Sequence, residues 1–255
     1  MMFLAPYLSD KQLADLYSQA YFSQTEESAS TLAPMPSTTY REAIEIRTPK
    51  FEATLDALQR LIPAGGSLLD VGAGTGEFVH LARRRGLEAE GVEFSAFAAE
   101  EARKRYGLNL SIGRLGEFAP ARQYDAVHLN HVFEHIPDPH AAVKWIDALL
   151  AVRGVVYVEV PFQFNVVERT KYHLHSARAP FNLHSLHHPV FFTPQTFIRL
   201  FSHHGFKCIK LSLFDWAHYP LKGTLSHLKA VVWRTLAVFG QGLFIEAIFR
   251  RERDL

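Results

Sequence analysis

The sequence predicts a doubly wound α/β fold, a mostly parallel sheet with helices on both faces. Three observations carry this prediction. Short apolar runs alternate with helical segments through most of the chain. The first run stops in a glycine-rich turn, "LLDVGAGTGEF" at residues 68–78, and the second ends on an acid, Glu93. The chain has 255 residues and is 48% hydrophobic, enough to bury a substantial core.

Taken in order, residues 1–40 read as an N-terminal helical extension or lid. Ser9 is an N-cap candidate, and Leu13, Leu16 and Tyr17 follow at helical spacing. A polar stretch with Pro34 and Pro36 comes next. A helix is expected over 40–61, interrupted near Pro49, with Phe51, Leu55, Leu58 and Leu61 on its apolar face. Seven strands are expected, at 67–71, 88–93, 109–112, 125–129, 154–160 and 207–213, and over the closing "GLFIEAIFRRE". Helices are expected at 76–85, 96–106, 139–150 and 194–203. The domain so defined, 41–255, carries two insertions. Residues 162–192 form a His- and Phe-rich connection, and 220–240 form a helix with Leu225, Leu228, Val232, Leu236 and Phe239 on one side. Ligands of such sheets bind outside the carboxyl ends of the strands.

Composition narrows the function classes. Lys plus Arg is 27 and Asp plus Glu is 26, so the net charge of +1 argues against nucleic-acid binding driven by bulk charge. With one cysteine, Cys208, no intrachain disulfide forms, and a reducing, cytoplasmic setting is expected. The first residues lack the basic region of a signal peptide, and no apolar run is long enough to span a bilayer.

Gly72, Gly74 and Gly76 let a ligand approach the backbone closely. The dinucleotide fingerprint G-x-G-x-x-G fails at its third glycine, where Glu77 stands, and no P-loop ending is present. An NAD-linked oxidoreductase is therefore disfavoured. Asp70 and Glu77 around a helix N-terminus suit a ligand with both an ammonium and a carboxylate better than a pyrophosphate. Glu93, 17 residues past Gly76, can accept both hydroxyls of a ribose. A ligand with an amino-acid end and a nucleoside end is S-adenosylmethionine (SAM).

"LLDVGAGTGEF", "GVEFS" and "YDAVHLNHVFEHIPDP", in this order, resemble class I SAM-dependent methyltransferases. They are similar to the bacterial group with a "vlEHv.dP" segment, including ubiquinone-pathway O-methyltransferases and methyltransferases of surface-polysaccharide pathways. The resemblance covers about residues 65–160, and more weakly "FFTPQTFIRLFSHHGFK". It implies a Rossmann-like sheet with an antiparallel last strand. It also implies a SAM site in which Asp70, Gly72, Ala73 and Gly74 line the methionine end. Glu93 would hold the ribose, Phe94, Leu115 and Gly116 would lie by the adenine, and Asn130 would border the sulfonium. Relatives carry an Asp after the third strand for the adenine amino group; here "IGRLGEF" puts Arg114 there.

Nine of the fourteen histidines fall between His128 and His188. In "HVFEHIPDPH", His131, Glu134 and His135 stand at i, i+3 and i+4, which places them on one face of a helical turn. Three readings stay open. His131 or His135 is a general base for an acceptor hydroxyl. Alternatively, His131, Glu134 and His135 bind a divalent metal together with a histidine of "NLHSLHH". The ubiquinone-pathway and small-RNA methyltransferases that this segment resembles use E-x-x-E-H in that way, and His131 in place of the first Glu shifts the preference from magnesium to a zinc-like metal. In the third reading the Glu–His pair is structural or positions the substrate. A resident metal is not favoured over the other two.

The acceptor is expected to be a small molecule, with an oxygen nucleophile on a sugar, a glycolipid or a ring. RNA or a quinone-type acceptor is the alternative. Tyr7, Tyr17, Tyr21, Phe22, Phe162, Phe164, Phe181, Phe191 and Phe192 are candidates to line its pocket or to be core. Lys222, Lys229 and Arg234 on the 220–240 helix suit peripheral contact with the inner membrane surface.

Overall fold

The computed structural model describes residues 2–3, 12, 40–118, 122–166, 169–170, 188–214, 231–232, 235–236 and 238–252. Its elements in chain order are β1 (Met2–Phe3), α1 (Tyr40–Gln59), β2 (Ser67–Val71), α2 (Glu77–Arg84), β3 (Glu88–Glu93), α3 (Ala96–Tyr106), β4 (Ser111–Ile112) and β5 (Tyr124–Asn130). A 3-10 turn (Phe133–His135), α4 (Pro139–Leu149), β6 (Leu150–Pro161), β7 (Val190–Phe191), α5 (Pro194–His203), β8 (Phe206–Phe214) and β9 (Phe244–Arg251) follow. Seven strands form one sheet in the order β4-β3-β2-β5-β6-β9-β8. Pairing is parallel from β4 to β6, and β9 runs antiparallel to both β6 and β8. The expected doubly wound fold with an antiparallel last strand is what forms.

Helix boundaries follow local chemistry. Ser95 caps α3 and Gly107 ends it in the left-handed region. Asp138 accepts from the His140 and Ala141 backbone N–H groups, with Pro139 in the first turn of α4. Thr193 and Thr196 form a reciprocal capping box ahead of α5. Period-2 alternation along the strands makes two cores. Leu69, Val71, Val127, Leu129, Val156 and Val158 pack with α4 and α5 on one face. Leu68, Ala126, Val155 and Ile248 pack with Leu55, Leu58, Phe78 and Val79 on the other.

Three expectations need correction. Helix α1 is not interrupted at Pro49 and ends at Gln59. The lost backbone hydrogen bond is offset by the next residue: Lys50 is buried against Glu159 and Glu246, and Leu55 and Leu58 are fully buried. Strand β6 starts at Leu150, earlier than expected, through an irregularity that pairs Tyr124 with Leu150 and Ala126 with Val155. Arg153 sits there at φ 62°, a conformation not legible from composition. Residues 2–3 are strand, paired antiparallel with Val190–Phe191. The rest of the 9–17 helix reading, apart from helical Gln12, lies outside the described residues. Of 220–240, residues 231–232, 235–236 and 238 are helical and the basic residues lie outside the described set. No helix among the described residues is long and apolar enough to cross a membrane.

The face under α1 carries an unusual polar rung. Register places Asn130 opposite Glu159, and Glu159 opposite Glu246. Like charges directly opposite are destabilising. The Lys50 ammonium lies between them, 3.6 Å from Glu159 and paired with Glu246, while Lys210 Nζ is 2.8 Å from Glu246. Replacing Lys50 by Met leaves this pair undercompensated in a dry site. The expected loss is about 3 kcal/mol or more, read as a fall in the urea midpoint. Lys50→Met with Glu246→Leu should recover part of it.

Candidate functional site

The glycine turn between β2 and α2 is built for close approach. Gly72, Gly74 and Gly76 have φ of 73°, 56° and 84°, where side chains are strained. A Cβ on Gly72 would come within 2.3 Å of Val132 Cγ2, and one on Gly76 within 2.8 Å of Leu108. Ala73 between them is buried. Glu93, at the end of β3, accepts the Gly74 N–H at 2.7 Å and the Ser95 N–H at 2.8 Å. Burial pushes its carboxyl up, and those N–H bonds oppose the rise. The structure thus brings Gly72, Ala73, Gly74 and Glu93 together. Phe94 follows, with the Arg114 guanidinium 4.6 Å above its ring. Leu115 is half-buried and Gly116 exposed, with nothing within 4 Å of where its Cβ would be.

Asp70 is held by a partner that the sequence reading did not single out. Its register partner on β5 is His128, and His128 Nδ1 lies 2.7 Å from Asp70 Oδ1. The His128 ring is sandwiched between Phe78 (centroids 3.7 Å apart) and Tyr157 (4.9 Å). The Tyr157 hydroxyl in turn donates to Glu159 Oε2 at 2.7 Å. Burial, with Glu159 and Glu246 nearby, pushes that phenol well up, so it stays a donor.

Asn130 ends β5, half-buried, and the chain turns sharply after it. His131 has φ 54°, and its N–H donates to the Glu159 carbonyl at 3.1 Å. The expected helical turn is therefore absent at His131; only Phe133–His135 form a 3-10 turn. The three residues still converge, by a different route. His131 Nδ1 is 3.3 Å from Glu134 Oε1 and its Nε2 is 3.3 Å from Glu159 Oε1. Burial pushes the imidazole down, but hydrogen bonds to Glu134 and Glu159 more than offset this and raise it to about 9. Burial pushes both carboxyls up, yet the His131 ring, with Lys50 beside Glu159, brings Glu134 and Glu159 to about 2. Both His131 nitrogens thus face carboxylates, an environment that favours the charged ring over a free general base.

The same Glu134 oxygen is approached by two more histidines. His135 Nε2 is 4.0 Å and His188 Nε2 3.9 Å from Glu134 Oε1. One ligand atom from each of Glu134, His135 and His188 lies within 4.8 Å of the others. Glu134 is 2% exposed, and its Oε2 has no hydrogen-bond partner among the described residues. These donors fit a divalent metal, with His188 as the histidine of "NLHSLHH" and His131 outside the ligand set. The sequence left open which histidine of "NLHSLHH" is involved, and Lys50, His128, Glu159 and Glu246 were not among its candidates. One signal was available: single charged residues inside apolar strands, as in "VVYVEVP" and "FIEAIF". Of the aromatic candidates, Phe162, Phe191 and Phe192 are core; Phe164 is half-buried against it. Tyr7, Tyr17, Tyr21, Phe22 and Phe181 lie outside the described residues.

With this geometry in view, the comparisons with known proteins are direct. A family model described as methyltransferase domain matches residues 44–211. The chain belongs to this methyltransferase family. A C-methyltransferase, NovU of Streptomyces niveus, is 27% identical over 158 residues, which is 59% of this chain and 35% of that protein. The chain thus aligns with about a third of that relative's length. A SAM-dependent methyltransferase from Archaeoglobus fulgidus shares the fold at a TM-score of 0.55 and 17% identity, covering 79% of this chain and 94% of that one. The plantazolicin methyltransferase BpumL, solved in complex with SAH, does so at 0.56 and 14%, covering 94% and 96%. This is a class I SAM-dependent methyltransferase domain, and SAM is its cofactor.

The charges around His131 have a pH signature. His131 contributes stability fully below its unfolded value near 6.5, and this is lost as pH rises through about 9. Glu134 and Glu159 contribute above their unfolded value near 4.5, and this is lost as pH falls through about 2. Urea unfolding of chelator-treated wild type and His131→Gln should differ most between pH 4.5 and 6.5. The gap should narrow toward either extreme.

Proposed function

We propose that the chain transfers the methyl group of SAM to a hydroxyl oxygen of a small-molecule acceptor, on a sugar, a glycolipid or a ring. The observation that carries the reading is the contact of Glu93 with Gly74. It ties the acid at the end of one strand to the loop at the end of its parallel neighbour, so one ligand can meet both. In this reading Asp70, Gly72, Ala73 and Gly74 take the methionine end, and Glu93 accepts the ribose hydroxyls. Phe94, Leu115 and Gly116 flank the adenine, and Asn130 borders the sulfonium. The Arg114 guanidinium covers one face of Phe94, so the adenine uses the other face or displaces it.

SAM, when bound, supplies an electrophilic methyl carbon. The protein's task is to align the acceptor and remove a proton. Both His131 nitrogens are taken up by carboxylates, so His135, four residues on, is the base in this reading. A carbon acceptor is the second reading, favoured by the C-methyltransferase relative. In either case the protein works in the cytoplasm, at the inner membrane surface if the acceptor is lipid-linked.

Calorimetric titration with S-adenosylhomocysteine tests the cofactor assignment. A micromolar dissociation constant, about −8 kcal/mol, is expected for wild type. Glu93→Ala should weaken it tenfold or more, and NAD should give no heat. A folded wild type that ignores the nucleoside overturns the assignment. Transfer of labelled methyl from SAM to a panel of hydroxylated sugars and phenols, with the product's methyl carbon assigned by NMR, separates oxygen from carbon acceptors.

A further inference from the structure

We propose that His128 is a positioning residue for the cofactor: its hydrogen bond holds Asp70 ready for the ammonium group of SAM. It thereby sets the preference of the site for a nucleoside that carries an amino-acid end. This role rests on the reading of Asp70 as a group for the methionine end and adds a second residue to it.

One rung of the sheet sets the two residues side by side. Parallel register puts Asp70 of β2 opposite His128 of β5, and His128 opposite Tyr157 of β6. On its other flank Asp70 pairs with Gly91 of β3, which brings no side chain. Asp70 and His128 are both buried. His128 Nδ1 lies 2.7 Å from Asp70 Oδ1, the length of a charge-assisted hydrogen bond. A carboxylate only accepts, so the ring nitrogen donates. That tautomer also suits the far side of the ring. Nε2 is buried with no partner among the described residues, and with the proton on Nδ1 no N–H is left orphaned there. The ring is clamped as well as bonded. It stacks on Phe78 with an interplanar angle of 13° and on Tyr157 with one of 21°. Phe78 lies in the first turn of α2, directly after the glycine turn. The stack therefore fixes the imidazole against the loop that the cofactor meets.

The two acids at this end of the sheet are committed differently. Glu93 has one oxygen on the Ser95 N–H and the other on the Gly74 N–H, so it orders the loop from within. Among the described residues Asp70 takes no such bond from the loop. His128 engages its Oδ1 and leaves Oδ2 for a ligand. An ammonium group is the donor that fits a carboxylate in a dry site, because it brings three N–H groups and the opposite charge. A carboxylate that is already held loses no rotamer freedom when the ligand arrives. His128 thus acts through Asp70 on the amino-acid end of the cofactor, and has no part in holding the nucleoside end.

The test compares two ligands by calorimetry on the full chain. S-adenosylhomocysteine has both ends, whereas 5′-methylthioadenosine keeps the nucleoside and lacks the amino-acid end. His128→Phe retains a stacked ring and loses the donor. It should weaken S-adenosylhomocysteine about tenfold and leave 5′-methylthioadenosine unchanged. His128→Asn and His128→Leu are similar in size and differ in the donor, so they repeat the comparison if the phenyl ring does not fit. The amide nitrogen of the first can replace Nδ1, so it should bind S-adenosylhomocysteine more tightly than the second, whatever both lose in thermal stability. Asp70→Ala should show the same selective loss, and His128→Phe should add nothing in that background. Equal weakening of both ligands in His128→Phe assigns the ring to packing and overturns the proposal. Wild-type affinity for S-adenosylhomocysteine in His128→Phe does so too, as does equal affinity in His128→Asn and His128→Leu. If Asp70→Ala binds S-adenosylhomocysteine like wild type, the reading of Asp70 fails and the role of His128 with it. If Asp70→Ala shows the selective loss and His128→Phe does not, the role of His128 alone fails.

Discussion

Two glutamates face each other across β6 and β9, and the ammonium of Lys50 between them is the interaction on which the rest of the site depends. Neither acid would be tolerated alone at this depth. Because Lys50 comes from α1, the pairing fixes that helix over the carboxyl ends of the central strands and keeps it continuous across Pro49. Because Glu159 has a second oxygen, it also reaches His131 at the end of the neighbouring strand. A single buried charge cluster therefore joins the helix that covers the sheet to the turn that carries Glu134 and His135.

The cofactor side and the histidine side meet at one contact. The absent side chain of Gly72 leaves room for Val132, the residue between His131 and the 3-10 turn. Any atom added at position 72 has to move the turn after β5, and any enlargement at 132 presses on the glycine loop. Asp70 and His128 make a parallel link one rung deeper, through a stack of aromatic rings. The two halves of the site are thus packed as one unit, which suits a reaction that needs a donor and an acceptor in line.

Most of the scaffold was legible because its signals are local. Helices α3 and α5 and strands β2 and β3 fall where periodicity, capping residues and glycines put them. The loop and Glu93 were legible through spacing. What failed was non-local. The continuity of α1 through Pro49 rests on acids about 110 and 200 residues away in sequence. The left-handed His131 broke an expected helical turn because Glu159 on the neighbouring strand claims its ring together with Glu134. His188 looked like one of many loop histidines; only the return of the chain into β7 distinguishes it. The partner of Asp70 could have been inferred once parallel register was assumed, since His128 is the polar residue opposite it on an apolar strand.

The short pairing of Met2–Phe3 with Val190–Phe191 bears on how the protein is handled at the bench. It ties the first residues to the segment that delivers His188. An affinity tag fused ahead of Met1 would pull on that ribbon, and a polyhistidine tag there would also place extra imidazoles close to a native imidazole–carboxylate cluster. Purification through the other terminus, or with a cleavable tag free of histidine, leaves the ribbon intact and keeps metal measurements interpretable.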